Sequence, residues 1–171
     1  MKYEFTGETK EWCGVTLRQI RALATIAGVV VAGDVGGWVE SETNLAQVSG
    51  DAWVSGNARV SGNALVYGDA WVYGNAQVYG NAQVYGDARV SCDALVSGNG
   101  SIFWASKVGT ENGTLTVFNS KDGTLTVTRG CFLGSVDSFI AKSKTVHDNK
   151  THREYCLLIE VAKSRIVCKA E

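Results

Sequence analysis

Val48-Ser49-Gly50-Asp51-Ala52-Trp53 states a six-residue phrase that the chain repeats without insertion between Ala46 and Ile102. Valine returns at Val54, Val60, Val66, Val72, Val78, Val84, Val90 and Val96, and alanine at every sixth position from Ala46 to Ala94. Glycine followed by Asn or Asp separates them, with Cys92-Asp93 the one departure. A fixed short period is the mark of a solenoid. In Ala-x-Val-[Ser/Tyr] the side chains alternate across an extended strand, so Ala and Val share one face and the other two positions share the opposite one. Gly-[Asn/Asp] supplies the corner, because both residue types tolerate the left-handed backbone of a sharp bend. Three strands and three corners close a triangular coil, with Val and Ala filling its interior. Nine hexads therefore predict about three regular coils, a prism roughly 15 Å tall at the spacing of paired strands.

The outward positions vary, and reading every third hexad sorts them onto walls. One wall carries Trp53 and Ser55, Trp71 and Tyr73, then Arg89 and Ser91. A second carries Arg59, Gln77 with Tyr79, and Leu95. The third carries Gln47, Leu65 with Tyr67, Gln83 with Tyr85, then Phe103. The first and third are more aromatic than open surfaces usually are. Trp53, Trp71, Tyr73 and Arg89, with Leu65, Tyr67, Tyr85 and Phe103, are the candidate binding or interface residues. The walls are expected to be covered by the chain's own tails or by another subunit; the alternative is a ligand platform with Arg89 at its edge.

The flanks set three regions: residues 1–41 as N-terminal strands and an irregular capping coil, 42–104 as the repeat, and 105–171 as a β-hairpin and two helices. Residues 3–10 alternate as a strand, with a hairpin expected across Gly7–Gly14, and the β-branched run from Ala22 to Ala32 reads as a buried strand. Ile102, Phe103 and Trp104 are expected to close the last coil. Gly113–Phe118 and Gly123–Val127 are near copies that read as a hairpin, with 130–134 continuing its second strand. Ser135 is placed to cap one helix, with Val136, Phe139, Ile140 and Ser143 on its inner side. Thr151 and Glu154 have capping-box spacing for a second, whose stripe is Tyr155, Leu158, Ile159, Ala162 and Ile166.

A net charge of −1 argues against a general nucleic-acid binder. No apolar run reaches the ~18 residues of a membrane span. The opening Met1-Lys2-Tyr3-Glu4-Phe5 has no hydrophobic signal core, so a cytoplasmic product is expected. Five cysteines, Cys13, Cys92, Cys131, Cys156 and Cys168, lack metal-binding spacing and read as free thiols. The absence of proline suits a chain of hydrogen-bonded strands. No histidine lies in the coils. Catalytic, metal and cofactor residues are thus expected to be none. Asp51, Asp69 and Asp87 should stack along one corner, where turn chemistry explains them. His147, His152 and Arg153 are the candidates for a pocket in the helical tail.

The ends carry specific phrases: Tyr3-Glu4-Phe5-Thr6-Gly7-Glu8-Thr9-Lys10, Gly36-Gly37-Trp38-Val39-Glu40-Ser41, and Asp148-Asn149-Lys150-Thr151-His152-Arg153-Glu154-Tyr155. With the hexads, they make the chain resemble a family of phage- and prophage-encoded hexapeptide-repeat proteins. The resemblance implies a left-handed parallel β-helix, mainly β, without an assigned enzymatic activity. Where that family usually has Thr-His-Gly before Asp-Asn-Lys, this chain has Thr145-Val146-His147. Enzymes on this architecture include acyl- and nucleotidyl-transferases with an intersubunit site. The expectation is a non-enzymatic binding protein, a homo-oligomer with a trimer favoured, inhibiting a host factor or sequestering a small anionic or nucleotide ligand in counter-defence. A transferase using His147 or His152 and a purely structural assembly element are the alternatives.

Overall fold

The computed structural model describes residues 1–167; Cys168, read from sequence as a free thiol, lies outside them. The chain opens with β1 (Tyr3–Trp12), β2 (Val15–Ala22) and β3 (Val35–Val39). Eight two-residue strands follow: β4 (Trp53–Val54), β5 (Arg59–Val60), β6 (Leu65–Val66), β7 (Trp71–Val72), β8 (Gln77–Val78), β9 (Gln83–Val84), β10 (Arg89–Val90) and β11 (Leu95–Val96). Their parallel ladders run β3-β5-β8-β11, β4-β7-β10 and β6-β9, which are the three walls of a β-solenoid of about three turns. Valine and alanine from Ala52 to Val96 are fully buried, as the alternation requires.

The first hexad breaks the pattern, although nothing in its residues does. Val48 is 91% exposed. Leu45 takes its place in the interior and bridges to Val66, while Val54 pairs with Val72. Nine residue steps on the first coil (45 to 54) thus oppose six on the next (66 to 72), so the segment around Val48 bulges outward. The bulge binds the chain's beginning: Lys2 N–H donates to Gln47 O at 3.2 Å and to Gln47 Oε1 at 3.1 Å, and the Lys2 ammonium donates to Gly50 O at 2.9 Å. Gly50 then approaches Gly68 so closely that any Cβ would collide with that carbonyl.

The N-terminal hairpin turns at Cys13-Gly14, not across Gly7. Gly7 sits in an irregularity between Phe5 and Thr9, where the strand bends instead of reversing. The stretch from Ala22 to Ala32 is no strand. It forms a tight loop bridged between Ile26 and Val30, which are buried, while Val29 and Val31 are exposed. β2 pairs antiparallel with β3, and β3 stacks in parallel on β5. The hairpin therefore extends one wall beyond the first coil. Its distal end also lies against that wall: Trp12 packs edge-on to Tyr79, and the Lys10 ammonium sits 3.9 Å from the Trp38 ring centroid.

At the other end, β12 (Ile102–Val108), β13 (Gly113–Asn119), β14 (Leu125–Arg129) and β15 (Phe132–Ser135) form an antiparallel meander. Residues 130–134 thus turn back as a separate strand instead of continuing β14. Ile102 and Phe118 plug the solenoid interior; Phe103 turns instead to a second core. That core joins the meander to α1 (Val136–Val146) and α2 (Asn149–Arg165) through Leu115, Val117, Val127, Phe139, Tyr155 and Ile159. Ser135 caps α1 by accepting from Ser138 N–H. Asp148, not Thr151, caps α2, accepting from Thr151 N–H at 2.7 Å. Glu154 is thereby released from the capping box and accepts from Gly109 N–H on the meander.

The last coil must satisfy strand edges that would otherwise recruit another chain. Side chains do this. Arg89 N–H donates to Thr116 Oγ1 at 3.1 Å, Thr128 Oγ1 donates to Arg89 O at 2.9 Å, and Gln83 N–H donates to Asn99 Oδ1 at 3.0 Å. Thr116 is fully buried. Thr116→Val should cost about 1–3 kcal/mol by stranding the Arg89 N–H, whereas Thr116→Ser should retain most of the stability. Equal denaturation midpoints for the two variants would refute the edge-capping role.

Two titrations should shape stability at alkaline pH. Burial, then the nearby Arg59 charge, pushes Lys10 down to about 8. The unfolded chain then holds that proton to higher pH than the folded one, so this group's contribution rises between about pH 8 and 10.5. Burial, then the Glu42 charge, pushes Tyr3 up to about 12, so its contribution is full below pH 10 and lost toward pH 12. Thermal melts of Lys10→Met should lack the rise that wild type shows above pH 8.

A cationic cleft between the solenoid and the C-terminal sheet

The meander lies across the end of the solenoid, and both its ends touch coil corners. At one end the β13–β14 turn is tied down by Lys121 N–H donating to Asp93 O and by a Lys121–Asp93 ion pair at 3.6 Å. At the other, the β12–β13 and β14–β15 turns stand beside Tyr73, Asp87 and Arg89 of the first wall. Between them opens a cleft of about 500 Å³. Lys107, Asn112, Gly113 and Thr114 line it from one turn, and Thr128, Arg129 and Gly130 from the other.

Three cations line it, Arg89, Lys107 and Arg129, with Asp87 the lining carboxylate and Glu111 paired to Arg129 from outside the lining. Arg89 is placed by the ladder; its guanidinium lies over Trp71 and donates to Asp69 O at 2.7 Å. Arg129 is the most buried of the three, its side chain 10% exposed. It donates to Val108 O at 3.2 Å, pairs with the exposed Glu111 at 3.8 Å, and lies over the Tyr155 ring. Its Nε has no hydrogen-bond partner. Gly113 makes room for it, since a Cβ there would collide with the guanidinium. Lys107 and Asn112 hold left-handed backbones, φ 61° and 50°, which aim these turns.

The structure distributes the residues expected from sequence among several places. Tyr73 and Arg89 border the cationic cleft. Trp53 is 2% exposed, covered by the loop that carries Val30, and Trp71 is half-buried beside it. Leu65 is half-buried on the third wall. There Tyr67 and Tyr85 stack face to face at 4.9 Å, and Trp104 closes on Tyr85 edge-on at 4.5 Å. The faces that Tyr67 and Tyr85 turn to each other are thereby occupied. Phe103 lines a shallow second cleft with Tyr85, Trp104 and Arg165.

The tail residues do not converge on one another. His147 caps α1 and packs on Tyr155, Arg153 is exposed, and His152 meets other partners, its Nδ1 3.2 Å from Ser143 Oγ and its Nε2 3.6 Å from Cys156 Sγ. The corner aspartates do not leave an open column either: Asp69 Oδ1 accepts from Asp51 N–H at 2.9 Å. Among the described residues, no group of three or more His, Cys, Asp or Glu side chains could hold a metal ion, and no helix is long and apolar enough to cross a membrane. Lys107, Asn112–Thr114 and Thr128–Gly130 escaped the sequence reading. Their only local signal was Gly113 and Gly130 flanking the hairpin strands.

The two tryptophans of the first wall should separate on mutation. Trp53→Ala should cost about 3–5 kcal/mol as a core truncation, and Trp71→Ala clearly less. Chemical denaturation showing equal losses would return Trp53 to the list of docking residues.

Residues 46–60, 58–74 and 82–98 match the family model described as YdcK Beta solenoid repeat. These segments fall within the hexad run and leave residues 75–81 of it unmatched. No curated protein matches the chain. The central part of the chain is a repeat of the β-solenoid class.

Proposed function

We propose that the chain is a non-enzymatic binding protein whose solenoid and C-terminal sheet together hold a small anionic ligand in the cleft between them. The observation that carries this reading is the gathering of Arg89, Lys107 and the nine-tenths-buried Arg129 around one space. An anion in the cleft would offset this cationic excess through charge-assisted hydrogen bonds from the cations that line it. The cleft's other lining groups are hydroxyls, a phenol, backbone and a corner aspartate, with no histidine to move a proton. They are suited to holding, not to turnover. Sequestering such a ligand, or blocking a host factor that uses it, is the counter-defence role that the resemblance to phage-encoded proteins implies. Self-association as a trimer belongs to the same proposal, and native mass spectrometry reads it directly.

A second reading rests on the Ser143–His152–Cys156 chain, in which an imidazole bridges a hydroxyl and a thiol. That is the arrangement of an activated nucleophile, and it would serve a transferase. Acylation of Cys156 by an activated ester no faster than that of the exposed Cys131 would remove it.

Inorganic phosphate or pyrophosphate, titrated at low salt by calorimetry, should bind the wild-type chain and weaken as salt is raised. Lys107→Asn keeps a residue tolerant of the left-handed backbone and should weaken binding about tenfold, the worth of one charge-assisted contact. Failure of both anions to bind, or unchanged binding in Lys107→Asn, would overturn the reading.

A further inference from the structure

Four tyrosines point outward from the repeat, and three of them already have ring partners. Tyr67 and Tyr85 stack on each other, and Tyr79 meets Trp12. Tyr73 differs. Its neighbours one coil to either side are Ser55 and Ser91, because Trp53, Trp71 and Arg89 stand in register along β4-β7-β10. Among the described residues, no aromatic ring packs on Tyr73, which is half-buried and lines the cationic cleft. An aromatic side chain with no ring stacked on it thus borders the same space as Arg89, Lys107 and Arg129.

We infer that the ligand of this cleft is a planar heterocycle carrying an anionic group, of the nucleoside monophosphate class, with its ring on Tyr73 and its phosphate toward Lys107 and Arg129. The inference rests on the anion-binding reading above and adds the ring. The volume of about 500 Å³ lies in the range of small-molecule sites. Stacking of a base on an aromatic side chain is tolerant of base identity, so the class is specified more firmly than the base. Thr114 and Asn112 at the rim offer hydroxyl and amide groups suited to a ribose or a base edge. Thr128 is less available, since its hydroxyl donates to Arg89 O.

The test compares AMP, ribose 5-phosphate and inorganic phosphate by calorimetry on the full chain, with Tyr73→Ser and Lys107→Asn. Serine is the residue of the adjacent coils, so Tyr73→Ser should fold normally, which its unliganded melt verifies. AMP should bind about tenfold more tightly than ribose 5-phosphate. Tyr73→Ser should abolish that preference, and Lys107→Asn should weaken both phosphates alike. Equal affinity for AMP and ribose 5-phosphate, or a preference that survives Tyr73→Ser, would overturn the ring site while leaving the anion site standing. No binding of any of the three would overturn the anion site itself, and the ring site with it.

Discussion

Stacked two-residue strands close a narrow coil whose regular interior holds valine and alanine, with Leu45 toward one end and Ile102 and Phe118 at the other. From Ala52 to Val96 no other residue type occupies an inward position, and all of these are fully buried. Interiors packed to this density tolerate little change of volume. The corners are equally constrained by close approach of one glycine to the next coil. Variation is therefore confined to the outward positions and to the two ends, and everything specific to this chain is found there.

The ends are the harder physical problem, because a parallel ladder stops with its N–H and C=O groups pointing at solvent. Each end solves it differently. The N-terminal hairpin adds two antiparallel strands to one wall, and its first residues bind the bulge at Gln47. The C-terminal end uses side chains, with Thr116, Thr128 and Asn99 standing in for the next coil's backbone. Two threonines of the meander thus serve the ladder's edge, and Phe118 fills the hole at its centre.

Capping also creates the candidate site. Laying a meander across the last coil brings its two distal turns against the first wall, where Arg89 and Tyr73 already stand. Arg129 is held half in the second core by Tyr155 and half in the cleft. The cleft thus has the solenoid on one side and the meander on the other, and a ligand there would bridge them. The aromatic third wall, by contrast, spends its ring faces on internal stacking.

The repeat is legible in the sequence because its cause is local. Side-chain alternation, corner glycines and an interior of uniform width are properties of six residues, so Val60 or Ala76 can be placed without knowing anything else. The inner stripes of both helices were readable for the same reason, through the 3.6-residue period. What sequence could not supply depends on partners distant in the chain. Val48 obeys the hexad rule and is expelled because Leu45 bridges to Val66 and Gln47 binds Lys2. Thr151 yields its capping role to Asp148 while Glu154 reaches for Gly109. The cleft is the extreme case: Tyr73 and Arg129 are far apart in sequence, and only the packing of a sheet on a solenoid's end puts a ring and a buried guanidinium around one space.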